Sequence, residues 1–170
     1  PTATSPLYEK IVPVKEALTL KGAIFAHGRQ MGKTLILPVR WNLATAKPVL
    51  GTNPTEKLLT NGIRGSLKYS DFEWCSWADN DSVSFTIDLL KLEMLNTLIL
   101  GCITNNGMAI HKPASVRVEV SDDNSKFREA VVQSFTSEEI FREGNFIENL
   151  SLKLGGTQAR YVRVTAKGPG

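Results

Sequence analysis

The chain has 170 residues, 42% of them hydrophobic and 22% charged, with two Cys and a formal net charge of +3. That length suits one ordinary domain, or one and a part, and needs neither disulfides nor a metal to close a core. The composition excludes disorder, collagen-like repeats and coiled coil, and the longest apolar run, Leu98 to Ile103, is far too short to span a bilayer.

The chain opens at Pro1 without a charged-then-apolar leader and reads as a piece of a longer protein. Residues 1–40 carry six Lys/Arg and two Asp/Glu, whereas residues 41–170 carry 14 and 15, so the positive charge belongs to the N-terminal segment and gives no signature of nucleic-acid binding. In that first segment Leu18, Leu20 and Ile24 alternate, followed by Thr34-Leu35-Ile36-Leu37-Pro38-Val39. A ribbon of two or three strands is marginal by itself, so it must pack on the rest or belong to another, incomplete domain. Between its strands, Gly28-Arg29-Gln30-Met31-Gly32-Lys33-Thr34 imitates a phosphate-binding loop. Three residues separate its glycines instead of four, and a strand follows instead of a helix, so it reads as a Gly-rich hairpin turn.

From Trp41 onward the pattern is period-two alternation. Val83-Ser84-Phe85-Thr86-Ile87-Asp88-Leu89, Val116 to Val120, Leu150 to Leu154, and Val162 to Ala166 each put apolar residues on one face. Leu98-Ile99-Leu100-Gly101-Cys102-Ile103 is apolar on both faces and predicts a central, fully buried strand. Asn53-Pro54, Asn61-Gly62, Asn106-Gly107, Asp122-Asp123-Asn124 and Gly155-Gly156 supply turns between them. The only helix expected is short, Thr136 to Arg142, with a capping box from Thr136 to Glu139. The expected fold is an all-β sandwich or jelly roll.

Catalysis has little to work with. His27 and His111 lie far apart, no His or Cys stands at zinc-ligand spacing, and no nucleophile elbow is present. Asp122-Asp123-Asn124 lacks the register of an EF-hand, and Cys75 and Cys102 read as buried free thiols. The most informative stretch is Tyr69-Ser70-Asp71-Phe72-Glu73-Trp74-Cys75-Ser76-Trp77, with four aromatics in nine residues. An aromatic face stacks on the apolar face of a pyranose while polar groups bind its hydroxyls. Tyr69 and Trp77 are the expected stacking residues, Trp74 the expected core plug, and Asp71 a hydroxyl partner. A second polar loop, Thr104 to Pro113, offers Asn105, Asn106 and His111.

Several motifs together resemble one family. Asn42 to Val49, Leu58-Leu59-Thr60-Asn61-Gly62, Trp74, Phe85-Thr86-Ile87-Asp88-Leu89, the hairpin Val120 to Phe127, and Ala159-Arg160-Tyr161-Val162-Arg163-Val164 follow the order of discoidin domains (coagulation factor 5/8 type C, carbohydrate-binding module family 32). The resemblance covers residues 41–170 and implies a galactose-binding-domain-like β-sandwich. Pro1 to Tyr8 with Leu18 to Phe25 resembles the later half of a chitobiase/β-hexosaminidase C-terminal domain, truncated here to residues 1–40. The order of the two pieces is similar to the tail of family-20 glycoside hydrolases of Bacteroidetes. The resemblance therefore implies a non-catalytic carbohydrate-binding accessory region of a β-N-acetylhexosaminidase, periplasmic, cell-surface or secreted. Its expected partners are glycans containing N-acetylhexosamine or galactose and the parent catalytic domain, with no nucleic acid and no membrane insertion. The alternative is a structural or protein-interaction module that binds no sugar. Many relatives hold a structural calcium; here Asn61 replaces the usual Asp and no Glu follows Ala166, so weak calcium binding or none is expected, and no other metal or cofactor.

Overall fold

A computed structural model describes residues 1–9, 12–77 and 82–169. It is nearly all β, as the alternation requires, and has two antiparallel sheets. The first is a two-stranded ribbon of β1 (Leu18–Ala26) and β2 (Arg29–Val39). The imitation phosphate loop takes no part in a helix: Gly28 forms the tight turn with His27, both at positive φ (73° and 49°), and Gly32 lies inside β2 at φ 79°. Gly32 sits where β2 bulges opposite the Gly22–Ile24 stretch of β1.

The second sheet has the order β3-β4-β7-β5-β6, from β3 (Val49–Leu50), β4 (Ser82–Asn105), β5 (Ser115–Ser121), β6 (Arg128–Ser134) and β7 (Asn145–Lys167). A 3-10 turn, Glu56–Thr60, and α1 (Ser137–Ile140) complete it; α1 starts with the expected capping box between Thr136 and Glu139. The segments Val83–Leu89 and Leu98–Ile103, which read as two strands in the sequence, are one strand 24 residues long. It pairs along its whole length with β7, and both strands are bent by bulges. Asp88 to Glu93 spans five residues against two from Tyr161 to Ala159, and Leu95 to Thr97 spans two against four from Thr157 to Lys153. Leu90 takes the left-handed conformation in the first bulge, and Gly155 and Gly156 take it in the second.

The first bulge is pinned by Asp88. Its carboxylate accepts Leu90 N–H at 2.7 Å and both Arg160 Nε–H and Nη2–H, at 2.8 and 2.9 Å. The fork from Arg160 holds the Asp88 carboxyl below the usual carboxylate range. Bending lets the two halves of the ladder close over one core: Phe85, Ile87, Val162 and Val164 from one half share it with Leu150 and Leu152 from the other, and β5 adds Val116, Val118 and Val120. These inward positions are the alternating residues of the sequence, and each large apolar side chain buried there contributes about 1.5–3 kcal/mol.

One expectation fails. The strand Leu98–Ile103 is not buried on both faces, for Ile99 is 64% exposed. Among the described residues this half of β4 is laddered to β7 alone. Its inward face, with Leu98, Leu100 and Cys102, meets the core, and on the other face only Ile103, at the end of the run, is buried. Gly155-Gly156 likewise forms a bulge within β7 and not a turn between strands. Asp122-Asp123-Asn124 does form the β5–β6 turn, where Asp123 accepts the N–H groups of Ser125 and Lys126 at 2.9 and 3.0 Å.

Candidate functional site

Residues 51–77, after β3, have little regular structure besides the 3-10 turn and are held by their own polar side chains. Asp71 accepts Ser66 N–H at 2.6 Å and Glu73 N–H at 2.9 Å, closing the loop on itself. Burial works against the charged form of Asp71, but the hydrogen bonds from Ser66 and Glu73 outweigh it and lower its pKa. Trp74 Nε1–H donates to Ser66 O at 2.9 Å, and its indole packs against Gly65, where any Cβ would overlap the ring. Opposite, Asn53 Nδ2–H donates to Ser76 O at 2.8 Å and Asn53 Oδ1 accepts from Thr55 N–H and Oγ1–H. That bond fastens the 3-10 turn to the aromatic loop.

Between them lies a cleft of about 370 Å³, lined by Thr55, Lys57, Leu58, Tyr69, Ser70, Phe72, Trp74 and Ser76. Tyr69 is 40% exposed and Phe72, in a left-handed conformation (φ 64°), is 89% exposed. Three aromatic rings with hydroxyls and one ammonium can stack on an apolar ring face and bind polar substituents around it.

The structure distributes the expected site residues unevenly. Tyr69 lines the cleft. Asp71 is close in sequence, but both carboxylate oxygens are committed to the loop backbone. Trp77 stacks parallel to Phe85, with centroids 6.0 Å apart, and packs on the core. The two tryptophans thus take the places expected of each other: Trp77 supports the core and Trp74 faces the cleft. Asn105, Asn106 and His111 lie outside the cleft lining. Asn105 bridges to Ile110, Asn106 opens a 3-10 turn, and His111 meets the Phe141 ring edge-on at 5.0 Å. Asn106 Oδ1 and His111 Nδ1 are buried with no hydrogen-bond partner among the described residues. This second loop adjoins the first through Asn145, which pairs with Asn105 in the ladder and donates from Nδ2 to Leu67 O at 3.4 Å.

Thr55, Lys57 and Leu58 carry no sequence signal because they stand 11 to 14 residues before Tyr69, and the tertiary contacts Asn53–Ser76 and Thr55–Cys75 bring them to it. Phe72 and Trp74 belonged to the aromatic cluster, but alternation could not show which way each points.

The cysteines are free, and burial, with Glu148 nearby, pushes the Cys102 thiol up to about 12. Asn61, at the position where relatives carry a calcium-binding Asp, accepts Ile63 N–H at 2.8 Å through Oδ1 and points Nδ2 at Glu73 Oε2, 3.2 Å away. An amide oxygen carries no charge for a hard cation and Lys167 follows Ala166, so these two positions offer calcium no carboxylate.

Residues 44–170 match the family model described as the F5/8 type C domain. No curated protein matches the chain. Among solved structures, it is similar to a fucose binding module of Streptococcus pneumoniae, at 22% identity and a TM-score of 0.52, covering 74% of this chain and 86% of that one. It is also similar to chitosan-binding module 1 from a chitosanase/glucanase of Paenibacillus sp. IK-5, at 17% identity and a TM-score of 0.50, covering 76% and 88%. Similarity to the C-terminal domain of a chitobiase from Bacteroides fragilis is 18% in identity with a TM-score of 0.36, and the match spans 54% of each chain, about half the length of that domain. The bent β4–β7 ladder and the match over residues 44–170 place the chain in the F5/8 type C, or discoidin, domain family.

Proposed function

We propose that this chain is a non-catalytic carbohydrate-binding region, with the cleft between the 3-10 turn and the Tyr69–Trp77 loop as its sugar site. The observation that carries the reading is the convergence of Tyr69, Phe72 and Trp74 with Thr55, Ser70 and Ser76 on one open cleft. The reading is supported by the names of two neighbours of the same fold, a fucose binding module and a chitosan-binding module. Trp74 and Tyr69 stack on the ring; Asp71 holds the loop in shape; Asn105, Asn106 and His111 extend the polar surface from the adjoining loop; Trp77 seats the segment on the core. A site this open holds one sugar with a dissociation constant on the order of 0.1–1 mM.

Weak binding of this kind serves by tethering. In our reading the region belongs to a secreted, periplasmic or cell-surface chitobiase/β-N-acetylhexosaminidase and raises its local concentration on glycans bearing N-acetylhexosamine or galactose. Residues 1–40 are then the end of the preceding domain. A glycan array probed with the chain, followed by titration calorimetry of the hits, tests the proposal: saturable binding abolished by Trp74→Ala is expected, and the absence of any bound glycan would overturn it.

A second reading, a module that packs on a neighbouring domain, is favoured by one observation. Ile24, Met31, Leu35 and Ile36 on the β1–β2 ribbon are all more than half exposed.

A further inference from the structure

The cleft carries a charge that neutral-sugar binding does not need. Lys57 is exposed on its wall and is the sole ionisable acid or base among its lining residues apart from the Tyr69 phenol. No carboxylate lies within ion-pair distance of Lys57 among the described residues, although Glu56, Asp71 and Glu73 belong to the same stretch after β3. Glu56, the adjacent residue, is buried, with its carboxylate packed against Gly51. Asp71 spends both oxygens on the N–H groups of Ser66 and Glu73, and Glu73 accepts from Asn61. Among the described residues, Glu56, Asp71 and Glu73 are thus engaged within the fold while the Lys57 ammonium is left on the cleft lining.

The environment of that ammonium sets its chemistry. The cleft lining also offers the Ser70 and Ser76 hydroxyls, so an anion beside Lys57 meets hydroxyl donors as well as the cation, while Thr55 Oγ1–H is already given to Asn53. Tyr69, Phe72 and Trp74 line the same cleft and give the ring of a charged sugar an apolar face to stack on. From this we infer that the cleft prefers a sugar bearing a negative group, a uronate carboxylate or a sulfate, held by Lys57 while Trp74 and Tyr69 stack on the ring. The inference rests on the cleft being the sugar site.

Titration calorimetry in low salt with three matched pairs tests it: galactose and galacturonate, glucose and glucuronate, and N-acetylglucosamine with its 6-sulfate. The charged member of at least one pair binds roughly fivefold tighter than the neutral one, as expected for an ion pair at an open site. The advantage shrinks as ionic strength rises above about 0.15 M. Lys57→Gln brings the ratio to about one and Lys57→Arg retains it, with an amide spectrum of each variant checking the fold. Uronates alone gaining would assign a carboxylate site, and the sulfate alone gaining a sulfate site. Equal binding within every pair, or an advantage that survives Lys57→Gln, would overturn the inference and leave sugar binding standing. No binding in any pair would overturn both.

Discussion

Gly65→Ala separates the cleft from the core more sharply than any substitution in the cleft itself. Gly65 is buried, and a Cβ there would overlap the Trp74 indole at Cε2 and Nε1. The methyl and the ring cannot share the space. Either the backbone shifts, at a cost of about 1–3 kcal/mol for overpacking, or the indole swings out and loses its bond to Ser66 O, worth about 1 kcal/mol. Both routes destabilise by about 1–3 kcal/mol and disturb Trp74, and the second removes it from the cleft. The core is untouched, because Trp77 and Phe85 stack elsewhere. Urea unfolding measures the stability, and the indole N–H signals of the three tryptophans report the displacement: the Trp74 signal moves and the Trp77 signal stays. A stability change under about 0.5 kcal/mol with an unmoved Trp74 signal would refute the packing argument.

The remaining predictions concern core, cap, acid, thiols and metal. Leu152→Ala, in the centre of the core, costs about 2–5 kcal/mol in urea unfolding, while Ile99→Ala, on the exposed face of β4, costs less than about 1. Thr136→Ala removes the capping box and costs about 1 kcal/mol. The Asp88 and Asp123 carboxyls have folded pKa values below their unfolded value, Asp88 through Arg160 and Asp123 through the N–H groups of Lys126 and Ser125. Their stabilisation is therefore complete above the unfolded pKa of about 3.9 and is lost as pH falls through the folded values, so stability measured by urea is flat between about pH 7 and 5 and drops below about 4. Both thiols are free, so non-reducing denaturation exposes two alkylatable groups, and in the native protein Cys102 resists iodoacetamide at pH 8. With no carboxylate at Asn61 or directly after Ala166 to bind it, calcium leaves the melting temperature within about 1 °C of its value in EDTA.

The strands were legible because their apolar faces follow the pleat: Phe85 and Ile87, Val116 to Val120 and Val162 to Val164 all point where alternation puts them. The bends were not. Leu90-Lys91-Leu92-Glu93-Met94 contains no Gly, Pro or Asn to announce a bulge, and Leu90 is held left-handed by the tertiary Asp88–Arg160 clamp and not by local preference. Ile99 misled for a related reason, since apolarity on both faces implies burial only where both faces have neighbours. For the candidate site, the aromatic cluster was visible as composition. The exchange of places between Trp74 and Trp77 was not, because it depends on a notch at Gly65 and a partner at Phe85, nine and eight residues away. Lys57 carried no local signal at all. It acquires its position from a side-chain bond, Asn53 to Ser76, that spans 23 residues.

The central claim is that Trp74, and not Trp77, meets sugar. Titrating the chain with galactose, N-acetylglucosamine and their charged counterparts while following the indole N–H signals measures this directly. The account predicts a saturable shift of the Trp74 signal with the Trp77 signal fixed over its stacked Phe85. A shift confined to Trp77, or none at any tryptophan at saturating sugar, would contradict it.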